Sequence, residues 1–106
     1  MFTELMASGS GGSVTIEKGL EVSYPTAYNT FVDTGLKADD GFYFTSFNIN
    51  GNYNSLYQLE NGNITPISKS SEAFSISILS NGNIGIKQTY NYSGWNTAVL
   101  YCYRIS

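Results

Sequence analysis

The sequence predicts an all-β domain, an antiparallel β-sandwich of jelly-roll-like character carrying a short N-terminal arm. Three observations predict it. Apolar and polar residues alternate with period two through most of residues 14–105, no long stretch keeps a helical period, and Asn-Gly turns punctuate the apolar runs. Composition agrees. Charged residues make up 12% of the 106, about half the globular average of roughly 25%. The polar surface is instead Ser, Thr and Asn, which compete with a helical backbone for hydrogen bonds and suit a pleated surface better. Nine Tyr and six Phe add to the strand bias.

Taken in order, residues 1–13 form an arm and linker, and residues 14–106 form the sandwich. Phe2, Leu5 and Met6 make a small apolar cluster, followed by the linker Ser8-Gly9-Ser10-Gly11-Gly12-Ser13. Two origins suit this segment: a remnant of an expression tag, or an arm that docks on a neighbouring subunit with the glycines as its hinge. Val14 and Ile16 then alternate with Thr15 and Glu17, and a second alternation over 19–24 stops at Pro25. Residues 28–36 carry Phe31, Val32 and Leu36 around an Asp33-Thr34-Gly35 kink, and a strongly strand-like run over 42–49 has large side chains on both faces at its start.

The turns Asn50-Gly51-Asn52, Asn61-Gly62-Asn63 and Asn81-Gly82-Asn83 come next. Asn-Gly tolerates positive φ at both central positions, as a type I′ hairpin turn requires. The third turn is the clearest case, with Phe74, Ile76 and Ile78 on one face of the incoming strand and Ile84 and Ile86 returning. Residues 56–60 and 64–67 form another hairpin, with Pro66 marking an edge strand because it lacks a donor. The last strand, 97–105, sends Val99, Tyr101, Tyr103 and Ile105 to one face and Ala98, Leu100 and Cys102 to the other. With both faces apolar, it is expected to be covered on both sides, within the sandwich or against another subunit.

Several function classes are poorly served. The net charge is −3 and no basic footprint for phosphate exists, so nucleic-acid binding is not expected. There is no His, the commonest general base and metal ligand. Neither Lys37 nor Lys69 sits in a recognisable nucleophile motif, so no enzyme activity, cofactor or metal is expected. Asp39-Asp40-Gly41, near Asp33, reads as a turn, with a calcium-binding loop as the alternative. Cys102 has no internal partner and sits in an apolar strand, where a buried structural thiol is expected. The N-terminal residues lack the basic and apolar regions of a secretory signal, and no apolar run is long enough to span a membrane. Synthesis in a cytoplasm is the expectation, and the sequons at Asn63 and Asn91 are then coincidental.

The candidate binding site is the aromatic and amide-rich loop Tyr90-Asn91-Tyr92-Ser93-Gly94-Trp95-Asn96. Tyr90, Tyr92 and Trp95 offer faces that stack on sugar rings, while Asn91 and Asn96 can bond hydroxyls. The competing reading has Tyr92 and Trp95 plugging the open end of the sandwich. Asn52-Tyr53-Asn54 with Tyr57 is a second, weaker candidate.

Phe31-Val32-Asp33-Thr34-Gly35-Leu36 resembles the opening strand of small β-sandwich domains in tailed-phage fibres and related virion proteins. Ser93-Gly94-Trp95 followed by Tyr101-Cys102-Tyr103-Arg104-Ile105 is similar to their closing turn and strand, with Arg104 standing where a small residue is usual and Cys102 also atypical. The arm resembles the short starts of compact prophage-encoded proteins. The resemblance covers roughly residues 31–106. It implies a virion structural protein, often a homotrimer, mounted on head or tail. The reading built on it is an oligomer beside other virion proteins that decorates the particle or contacts the host surface, where a glycan is a candidate partner of the outward-facing loop 90–96. In that setting Phe2, Leu5 and Met6 anchor the subunit. A stand-alone carbohydrate-binding module is the alternative.

Overall fold

The computed structural model describes residues 14–48, 52–69, 74–89 and 98–106. Within them lie strands β1 (Ile16–Lys18), β2 (Val22–Ser23), β3 (Val32–Lys37), β4 (Gly41–Asn48), β5 (Asn52–Glu60), β6 (Asn63–Lys69), β7 (Phe74–Ile78), β8 (Asn83–Gln88) and β9 (Val99–Ile105). One helical turn, α1 (Tyr24–Ala27), follows β2, with Pro25 in its first turn, where a missing N–H costs nothing. The strands make two antiparallel sheets. One runs β1-β9-β4-β5-β6, with β2 also on β9; the other runs β3-β8-β7. The expected all-β sandwich is present.

The alternation seen in the sequence is the alternation of the core. Tyr43, Thr45 and Phe47 of β4, Ser55, Tyr57 and Leu59 of β5, and Leu100 and Cys102 of β9 point inward and are buried. They meet Leu36 of β3, Ile76 of β7, and Ile84 and Ile86 of β8 from the second sheet. Each large apolar side chain so buried contributes about 1.5–3 kcal/mol relative to exposure.

The hairpins form as expected, with one difference in turn chemistry. Between β5 and β6, Asn61 and Gly62 have φ of 52° and 79°, and the pair Glu60–Asn63 closes a two-residue turn of the type I′ kind. Strand β6 lies at the sheet edge, and its register shifts beside Pro66, which pairs with Tyr57. Between β7 and β8 the closing pair is Leu79–Asn83, which leaves a three-residue loop, 80–82. The N–H of Leu79 donates to Asn83 O (2.8 Å), Gly82 N–H donates to Leu79 O (2.9 Å), and only Gly82 takes positive φ, at 87°. Asn81 keeps negative φ because its side chain is occupied. Its Oδ1 accepts from Asn83 N–H (3.0 Å) and its Nδ2 donates to Asp33 (2.7 Å). The Asn50-Gly51 turn falls outside the described residues.

The Asp33-Thr34-Gly35 kink is a β-bulge that fastens β3 to β8 and to the β7–β8 turn within the smaller sheet. Gly35 takes φ of 76°, and the β3–β8 register shifts between Asp33 and Lys37. Asp33 Oδ1 accepts from Gly35 N–H (2.7 Å), and Asn83 Nδ2 donates to both carboxylate oxygens (3.1 and 3.2 Å). Thr34 is buried and its hydroxyl donates to Ile84 O (2.7 Å). Leu36 then enters the core.

Residues 19–21, expected to continue an alternating strand, leave the ladder instead. Gly19 N–H donates to Cys102 O (2.8 Å) on the larger sheet, and Leu20 N–H donates to Thr34 O (2.7 Å) on the smaller one. The chain thus bridges both sheets at their edge, which leaves Leu20 exposed. A Cβ on residue 19 would lie 2.9 Å from Thr34 O and 3.1 Å from Cys102 O, so glycine is what allows the approach.

Candidate functional site

Strand register defines the two ends of the sandwich. At one end, Thr15 and Ser106 exchange backbone hydrogen bonds (2.9 and 3.0 Å), Ile105 lies opposite Phe42, Ala38 N–H donates to Gly82 O, and Asn61 N–H donates to Asp40 Oδ1. Residues 1–13 join the domain here. At the other end, Tyr24 N–H donates to Ala98 O (3.0 Å), Tyr28 bridges Gln88, and Asn29 N–H donates to Gln88 O (2.8 Å). Gln88 and Ala98, which flank segment 90–97, therefore both lie beside α1, at the end opposite Thr15 and Ser106.

The candidate residues Tyr90, Asn91, Tyr92, Trp95 and Asn96, and the arm residues Phe2, Leu5 and Met6, lie outside the described residues. What surrounds the flanks of segment 90–97 is aromatic. Tyr24 packs against Tyr28 (ring centroids 6.4 Å apart) and Phe47 (6.2 Å), and Phe47 packs against Tyr53 (5.9 Å). Tyr24 and Phe47 are buried, whereas Tyr28 and Tyr53 keep part of their rings at the surface. The weaker candidate, Asn52-Tyr53-Asn54 with Tyr57, is not one surface. Tyr57 is a core residue, and Asn54, opposite Ser46, points to the outer face while Tyr53 points inward.

At the arm end the aspartates serve the fold. Asp33 holds the bulge, Asp40 receives Asn61, and Asp39 lies 3.8 Å from Arg104, which also meets Glu17 at 3.4 Å. The N–H of Gly35, then the amides of Asn81 and Asn83, hold the Asp33 carboxyl below its usual pKa. No group of three or more His, Cys, Asp or Glu is placed to hold a metal among the described residues. Arg104 stands at the end of the inner face, opposite Tyr43, and its two acidic neighbours explain how a large cation is accepted there. Burial pushes the Cys102 thiol up to about 12, which makes it a poor nucleophile.

The sequence reading missed a surface. On the outer face of the larger sheet, cross-strand pairing aligns Ile16 with Ile105, Phe42 with Ile105, Phe44 with both Leu56 and Tyr103, and Ser46 with Tyr101. Paired residues share a face, so these form one aromatic and aliphatic patch across β1, β9, β4 and β5. Phe44 and Tyr103 have ring centroids 6.3 Å apart, and Lys18 lies 5.0 Å from the Tyr101 ring centre. Ile16 is 65% exposed, and Phe42, Phe44, Leu56, Tyr101 and Tyr103 are half-buried by one another. The smaller sheet covers only the inner face. The expectation that β9 is covered on both sides is met on the side of Leu100 and Cys102, and no described residue covers the Tyr101 side. A shallow depression of about 200 Å³ opens among Phe44, Asn54, Ser55, Leu56 and Ser68. The signal was in the aromatics on the second face of the two strands, Phe42 and Phe44 in 42–48 and Tyr101 and Tyr103 in 99–105, but only the register shows that they adjoin.

These features define an all-β sandwich domain with an aromatic outer sheet face that no described residue covers, and two ends that differ in structure. Comparison of the chain with known protein families, curated proteins and solved structures finds no match in any of the three.

Proposed function

We propose that this domain is a non-catalytic virion structural protein of a bacteriophage or prophage, assembled as a homo-oligomer, with a trimer favoured. In this reading residues 1–13 anchor the subunit to its neighbours or to other virion proteins, and segment 90–97 faces the host surface. The observation that supports it is the polarity of the sandwich: the arm joins at the Ser106 end, while both flanks of segment 90–97 are pinned at the α1 end. An attachment module needs this separation, because one end must be tied down while the other stays accessible. The resemblance of the Phe31–Leu36 strand adds to the reading. Sedimentation velocity of the full chain tests it: a defined oligomer at micromolar concentration is expected, and a monomer throughout that range contradicts it.

A stand-alone carbohydrate-binding module is the second reading. The partly exposed rings of Tyr28 and Tyr53 beside the flanks of segment 90–97 favour it, since stacked rings are what sugar faces bind. A glycan array with Trp95→Ala as control distinguishes the two. Binding by a monomer that the substitution abolishes favours the module.

A further inference from the structure

We infer that the outer face of the larger sheet is the receptor for the N-terminal arm of a second copy of this chain, with Phe2, Leu5 and Met6 seated on the patch made by Phe44, Leu56 and Tyr103. The inference rests on the assembly reading above and names the surface through which that assembly is built.

The face asks for an apolar occupant. Its aromatic rings come from two adjacent strands, β4 and β9, with Leu56 beside them on β5, and strands lie about 4.8 Å apart, so the patch is continuous rather than scattered. A contiguous apolar surface rimmed by Ser46, Asn54 and Gln58 is the usual mark of an interaction site. The depression beside Phe44 and Leu56, at about 200 Å³, is smaller than the roughly 300–1,000 Å³ of small-molecule pockets. It is open and suits a single large side chain inserted from above.

The chain itself supplies such side chains. Residues 1–6 hold Phe2, Leu5 and Met6 with one ionisable side chain, Glu4, and a glycine- and serine-rich stretch joins them to the domain. The direction of β1 decides between the subunit's own face and a neighbour's. The Thr15–Ser106 pair is the outermost described rung of the ladder, and there β1 points along the strand axis toward the end of the sheet, not toward its outer face. A segment on that heading would have to reverse to meet its own outer face, whereas a neighbour's face asks for no reversal. Reach suffices, because thirteen residues span up to about 45 Å when extended, more than the width of the few strands, about 4.8 Å apart, that carry the patch.

Cross-linking between two separately made full-length variants tests the proposal. One carries Leu5→Cys and the other Asn54→Cys; Asn61→Cys, on the turn at the sheet's end, is the control acceptor. Mixing under mild oxidation is expected to give a disulfide-linked heterodimer with the Asn54 variant and several-fold less with the control. In parallel, Phe2→Ser with Leu5→Ser is expected to raise the dissociation constant of self-association about tenfold or more. The far-ultraviolet spectrum should keep its strand signature, since the changed residues precede the first described strand. An oligomer that persists in that variant, with no preference for Asn54 over Asn61, overturns the arm's role yet leaves the assembly reading standing. A linkage that forms only within one chain bearing both cysteines overturns the assignment to a second copy. A chain that sediments as a monomer removes both.

Discussion

Asp33 and Asn81 are 48 residues apart, and the carboxylate of the first accepts a 2.7 Å hydrogen bond from the side-chain amide of the second. With the bonds from Asn83 and Gly35, it fastens the β3 bulge to the β7–β8 turn. The carboxyl is thereby held below its ordinary pKa. Its contribution to stability is then complete above the unfolded-state value near 4 and fades as pH falls through the lower folded value. Thermal melts from pH 7 to pH 2 are expected to show a loss of stability below about pH 4 that Asp33→Asn reduces. Equal slopes for the two proteins would show that other carboxyls dominate the acid transition.

Gly19→Ala is expected to destabilise by about 1–3 kcal/mol, because two backbone carbonyls on different sheets crowd the new methyl group. Gly62→Ala is a useful contrast. Nothing lies within 4 Å of a Cβ there, so its cost is only that of holding φ at 79°, about 1–2 kcal/mol. Urea denaturation separates them by cause: a following Asn at position 62 should recover much of the loss, whereas no side chain recovers it at 19.

Thr45 and Ser55 face each other across β4 and β5, and both hydroxyls are buried without a hydrogen-bond partner among the described residues. A buried unsatisfied polar group costs about 1–3 kcal/mol, so Thr45→Val should leave stability unchanged or raise it by about 1 kcal/mol. A loss beyond about 1 kcal/mol in urea titration would mean that the hydroxyls share a bound water.

Cys102 is 1% exposed, and burial pushes its thiol up to about 12. A disulfide reagent is therefore expected to leave it unmodified in the native state from pH 7 to pH 9, and to react at once in denaturant. Rapid native modification would require the β9 strand to open readily, since both access and ionisation are otherwise withheld.

Much of the fold was legible because period-two alternation records which side chains face the core. Phe74, Ile76, Ile84 and Ile86 are in fact on paired strands, and Pro66 sits on the edge strand its missing N–H demands. The loop containing Asn81 differed from expectation. Asn-Gly permits a two-residue turn, yet the distant Asp33 engages the Asn81 side chain and a three-residue turn forms. Val14 to Tyr24 read as regular strand, and the structure breaks it at Gly19 because a single backbone there bonds to both sheets.

The sequence by itself determined the strand periodicity, the hairpin between β7 and β8, the tolerance for positive φ at Asn61 and Gly62, and the burial of Cys102. These depend on neighbours a few residues away, or on one side chain's own chemistry. Only the tertiary structure decided that Phe44, Leu56, Tyr101 and Tyr103 form one surface, and that the arm and segment 90–97 leave from opposite ends. Both follow from register between strands distant in the chain, and register is set by how the two inner faces interdigitate. A shift of one residue would turn every one of these rings to the other side of the sheet.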